Sequence, residues 1–143
     1  MSINKFNSEG YYDPTAYEAL TNIEKEECAL SAFRSIVYIC SPYAGDVTAN
    51  VENARRYSRF AVDKGYIPIA PHLLFPQFLC DDNPKERQLG LFFGNALMSK
   101  CSEVWVFGEY ISSGMEAEIR RAKWKNYRLR YFTAACEEVT DYA

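Results

Sequence analysis

Three short segments of the chain combine residue types that can hold or act on a small molecule. The first is Ser112-Ser113-Gly114-Met115-Glu116-Ala117-Glu118, two carboxylates just past a Ser-Gly turn at the start of an apolar-periodic run. Glu116 stands three residues after Ser113, the spacing of a capping box, and reads as a structural cap. Glu118 has no such role. It precedes Ile119, an inward-facing position, and so should lie near the sheet edge. A carboxylate near a helix N-terminus is expected to stay ionised, because the helix dipole stabilises the anion. A held, ionised carboxylate is what a nucleophile or an oxocarbenium stabiliser requires. The plain alternative is a surface residue that merely complements the dipole.

The second segment is Tyr38-Ile39-Cys40-Ser41-Pro42-Tyr43-Ala44-Gly45. Its small residues let backbone approach a ligand, and the helix that follows offers an N-terminus to an anion. Ser41, Pro42, Tyr43 and Gly45 are therefore candidate ligand contacts, together with Ser113, Gly114 and Met115. Neither a Gly-x-Gly-x-x-Gly fingerprint nor a phosphate-loop Gly-Lys-Ser/Thr is present, so dinucleotide and P-loop chemistry lose support. The third segment, Gly94-Asn95-Ala96-Leu97-Met98, sets an Asn inside a helix and among apolar residues. Asn is mildly disfavoured there, which suggests a hydrogen-bonding task. His72, after Pro71, could bind phosphate or donate a proton near neutral pH, or simply anchor its loop.

The elements that must position these groups follow from periodicity. Asp13-Pro14 opens a helix that runs to about residue 30, with Asp13 as N-cap, after a polar arm over 1–12. The short apolar run 36–40 is a buried strand. Val47, Val51, Ala54, Tyr57 and Ala61 recur at helical spacing, with Gly65 as the stop. Residues 66–70 form a second strand, whose Pro68 implies an edge position or a strand end. A loop over 71–82 leads to a helix capped by Asn83 that runs to about residue 100, with Glu86 at capping-box spacing. A third strand spans 103–107, a helix 114–125 and a last strand 129–132, before an acidic tail expected to fray. This alternation means right-handed crossovers and an α/β fold with a parallel sheet. Ligands in such folds sit beyond the strand C-termini, where strand order reverses. The expected organisation is an arm and helix over 1–33, a domain over 34–133 and a tail over 134–143.

Bulk properties narrow the function classes. The 143 residues suit one domain, and a net charge of −3 without a basic stripe argues against nucleic acid. Five cysteines with no C-x-x-C pair suggest reduced thiols in a cytoplasm. A single His makes a zinc site improbable, no organic cofactor is implied, and no apolar stretch reaches membrane-spanning length.

Val37-Tyr38-Ile39-Cys40-Ser41-Pro42-Tyr43, Pro68-Ile69-Ala70-Pro71-His72 and Ser113-Gly114-Met115-x-x-Glu118, in that order, resemble the nucleoside 2-deoxyribosyltransferase-like superfamily. Within it the match is to small domains of unknown function, of the DUF4406 and DUF7768 type. The resemblance covers about residues 35–133. It implies a flavodoxin-like or Rossmann-like three-layer sheet, here with an appended N-terminal helix, and a homodimer or larger assembly. It implies that Glu118 attacks the anomeric carbon of a nucleoside or nucleotide and that Tyr38 supports that nucleophile. The superfamily's Asp, eight residues before the acidic start of the third strand, is Asn95 here. Asn cannot protonate a leaving base, so that help would come from Asp81, Asp82 or His72. The resulting expectation is an N-glycosidic-bond enzyme of transferase or hydrolase type. The alternatives are a non-catalytic protein that captures or senses a nucleotide-derived molecule, and an interaction protein that docks through its N-terminal helix.

Overall fold

The structure, a computed structural model, describes residues 19–26 and 33–140. Its internal contacts divide the chain into residues 1–33 and 34–143. In the first unit, residues 19–26 are helical. The expected start at Asp13-Pro14, the arm before it and the helix end near residue 30 lie outside the described residues.

The second unit is built around five strands. In chain order they are β1 (Ile36–Cys40), β2 (Ile67–Ile69), β3 (Glu103–Phe107), β4 (Arg128–Phe132) and β5 (Glu138–Val139). The helices are α1 (Val47–Asp63), α2 (Pro71–Leu74), α3 (Pro84–Met98) and α4 (Ser113–Trp124), with a 3-10 turn over Phe75–Gln77. The sheet order is β2-β1-β3-β4-β5, with the first four strands parallel and β5 antiparallel. This is the flavodoxin-like order. Pro68 sits on the edge strand β2, where its missing N–H breaks no ladder.

Alternation along β1 divides the core into two faces. Val37 and Ile39 join Tyr57, Ala61, Trp105, Phe107 and Phe132 beneath α1. Tyr38 and Cys40 join Met98, Val104, Val106, Met115 and Ala122 beneath α3 and α4. Many of the aromatic side chains serve the first face. Tyr57 stacks on Phe107 at 4.3 Å, and Phe107 on Phe132 at 5.0 Å. Helix boundaries follow local chemistry. Asn83 Oδ1 accepts from the Lys85 and Glu86 amides, and Gly65 takes the left-handed conformation after α1 at φ 89°.

Three local expectations fail. The loop over 71–82 contains α2 and the 3-10 turn, because Pro71 and Pro76 each sit at a helix start that they pre-organise. Ser112, not Ser113, caps α4, its Oγ accepting from the Met115 amide at 3.3 Å. The acidic tail does not simply fray, because Glu138 forks onto Arg130 at 2.9 and 2.8 Å and holds β5 against β4.

Arg130 also reaches Glu103, which is only 8% exposed and accepts from the Trp105 indole at 2.9 Å. Glu103→Ala would leave the buried indole N–H without its acceptor and Arg130 with one carboxylate fewer. We expect a loss of about 2–3 kcal/mol in urea unfolding.

Candidate functional site

A cavity of about 240 Å³ opens beyond the C-terminal ends of β1 and β3, where the strand order reverses. Tyr38 and Ser41 come from β1 and its exit, His72 from α2, Asn95 from α3, and Ser113, Gly114, Met115 and Glu118 from α4. Tyr43 also lines it. Pro42 and Gly45 do not. Gly45 instead serves the turn into α1, with φ 97° and its carbonyl accepting from the Val47 amide at 3.0 Å.

Helical spacing explains how α3 shapes the wall. Glu86, Gly90 and Gly94 form one row and Arg87, Leu91 and Asn95 the next, and both rows line the cavity. Two glycines inside a helix each cost roughly 0.5–1 kcal/mol relative to Ala. Here they keep the helix face low. A Cβ on Gly94 would stand 3.4 Å from the Tyr38 hydroxyl, and one on Gly90 3.6 Å from Leu79 Cδ1. Gly94→Ala is expected to fold and to gain about 0.5–1 kcal/mol in thermal unfolding. Gly94→Leu is expected to fill the space before Tyr38 and weaken ligand binding at least about tenfold in calorimetry. Sequence reasoning missed this Gly-x-x-x-Gly row, although its spacing was readable. It also missed Glu86 and Arg87 as wall residues.

Burial raises the pKa of the Glu118 carboxyl to about 7, against the opposing influence of the Tyr38 hydroxyl and the Cys40 thiol, which favour the charged form. This corrects the expectation of a dipole-stabilised anion. Glu118 lies beyond the first turn of α4, where the dipole has faded, and desolvation wins. At neutral pH the carboxyl divides between its two forms. The Tyr38 pKa is raised well above the usual phenol range, first by burial and then by the Glu118 charge, so Tyr38 acts as a hydrogen-bond donor.

His72 is also corrected. Burial lowers its pKa to about 4, so at neutral pH it is uncharged, neither a phosphate-binding cation nor a ready acid. Its Nε2 lies 2.9 Å from Ser41 Oγ, which anchors α2 to the end of β1. The anion role expected of the α1 N-terminus is taken by the chain itself. Asp46 caps that helix, its Oδ1 accepting from the Ala49 amide at 3.2 Å. Asp81 reaches the cavity wall and Asp82 does not.

The arrangement joins a two-state carboxyl, a phenol donor and a side-chain amide in a partly apolar cleft at the switch point of a flavodoxin-like domain. The chain belongs to the DUF7768 family, a domain of unknown function, whose model matches residues 35–132. Its fold is similar to that of a 2-deoxyribosyltransferase from the psychrotolerant bacterium Bacillus psychrosaccharolyticus. The TM-score is 0.59 at 11% identity, over 69% of this chain and 72% of that one. No curated protein matches the chain. Among the described residues, no helix is long and apolar enough to cross a membrane.

Proposed function

We propose that this domain cleaves or transfers across the N-glycosidic bond of a nucleoside-type compound, with Glu118 as nucleophile. The observation that carries this reading is the Glu118 carboxyl set among the Tyr38 hydroxyl, the Cys40 thiol and a cleft that also holds Asn95. The ionised carboxylate attacks the anomeric carbon. The bond to the base nitrogen breaks, and its electron pair leaves with the base, which takes a proton. Water or a second base then displaces the carboxylate from the sugar. Tyr38 hydrogen-bonds to the carboxylate and aims it.

Charge favours a ligand without phosphate. Among the described residues that line the cavity, Arg87 is the one cation, and it stands with Asp81, Glu86 and Glu118. The helix starts beside the cleft bear the acidic groups Asp46 and Glu116. A neutral nucleoside meets no repulsion there, whereas a phosphate does. The fold neighbour, a 2-deoxyribosyltransferase, supports the same substrate class. The same reading places the protein in the cytoplasm, where thiols stay reduced. It also carries the homodimeric or larger assembly, which light scattering checks.

A second reading, a binder that releases its ligand unchanged, is favoured by Asn95 standing where an acid is wanted. The test is incubation with a panel of nucleosides, nucleotides and NAD-like compounds, followed by mass analysis of what is recovered. Free base supports the enzyme. Ligand that raises the melting temperature and returns intact supports the binder.

A further inference from the structure

Cys40 closes β1, is fully buried and stands behind the cavity wall rather than on it. Its Sγ lies 3.9 Å from the carbonyl oxygen of Met115, one helical turn before Glu118 on α4. The thiol and the Glu118 carboxyl also act on each other, the thiol favouring the ionised carboxylate and the carboxylate raising the thiol's pKa further after burial. One S–H proton therefore faces two acceptors on the same helix.

We propose that Cys40 is a positioning residue whose thiol turns from the Met115 carbonyl to the Glu118 carboxylate when that group ionises, holding it in the orientation for attack. The proposal rests on the reading of Glu118 as nucleophile. A protonated carboxyl is a modest acceptor, and the backbone carbonyl competes with it. An ionised one accepts a charge-assisted bond, roughly twice as strong, and wins the proton. No covalent bond forms or breaks; the thiol only rotates. The other titratable groups that share the cleft are Tyr38 on β1, Tyr43 after it, His72 on α2, and Asp81, Glu86 and Arg87 at or before the start of α3. Of these, Tyr38 also favours the ionised form of Glu118. Tyr38 and Cys40, two apart on one sheet face, thus grip the carboxyl from below.

The test is the titration of the Glu118 carboxyl by carbon NMR, with labelled glutamate and the signal assigned by its loss in Glu118→Gln. Wild type, Cys40→Val and Cys40→Ser are compared as the full chain. Val fills the thiol's volume without a donor, and its midpoint should rise by about 1 pH unit. Ser is a stronger donor, and its midpoint should fall. An unmoved midpoint in Cys40→Ser overturns the proposal, and that variant decides alone should Cys40→Val not fold. Val and Ser moving in the same direction overturns it as well. The titration is read without turnover, so a protein that releases no base sinks the proposed activity while this result still stands or falls on its own. Where base is released, the midpoint of its pH profile should shift with each variant in the same sense.

Discussion

Glu118→Gln is expected to lose base release by at least about 10³-fold and, at pH 8, to be more stable than the wild type by about 3 kcal/mol. Both effects come from the same desolvation. The folded chain holds the Glu118 pKa at about 7, against 4.5 for an unhindered glutamate. A carboxyl whose pKa is raised on folding binds its proton more tightly in the native state. Its favourable contribution is therefore complete below pH 4.5 and is lost as pH rises to about 7. Above that, the wild type carries a buried anion held by one phenol and one thiol. Gln has nearly the same shape, its amide oxygen can accept from Tyr38, and it never ionises. The stability difference measured by urea unfolding should thus vanish near pH 4 and grow to a plateau near pH 8. Activity has the opposite dependence. The nucleophile is the ionised form, so kcat/KM for base release should rise with pH to half its maximum near 7. A domain that is least stable where it works best spends folding free energy on its site.

Asn95→Asp is expected to speed base release about 10²-fold. The electron pair that leaves with the base needs a proton, and neither the neutral His72 nor an amide supplies one. Asn95 stands in the cleft with Glu118, and its side chain makes no hydrogen bond among the described residues. A carboxyl there would share the desolvated setting and feel the charge of Glu118, and both raise its pKa. It would then carry a proton at neutral pH while Glu118 ionises. The pH profile should change from a single rise to a bell, the signature of an acid and a base working together. Steady-state base release read by chromatography from pH 5 to about pH 9 checks both features. An unchanged rate would mean that the leaving base is protonated from the wall, by Asp81 or Glu86.

The architecture was readable because each element declares itself locally. The apolar runs of β1 and β3, the 3.6-residue stripe of Ala54, Tyr57 and Ala61, the Asn83 cap and the Gly65 stop are one-dimensional signals with physical causes. From them the crossover rules bring together the loops after β1, β2 and β3 at the switch point, while Tyr38, Asn95 and Glu118 were singled out as a set by the family resemblance. Short or long-range features escaped. Two-residue β5 depends on Glu138 meeting Arg130, which local pattern does not reveal. Four-residue α2 is too brief to show a period. The ionisation of Glu118 was misjudged because the dipole is legible in sequence and desolvation is not. Pro42 and Gly45 were placed in the cleft by proximity in sequence, whereas the turn at Gly45 leads the chain away from it.

The most direct measurement is base released at pH 8 from a set of purine and pyrimidine 2′-deoxynucleosides by wild type and Glu118→Gln, both shown to be folded. The account predicts free base from at least one nucleoside with wild type and none above background with the variant. Equal release by the two proteins, or nucleosides recovered whole from both, would contradict it.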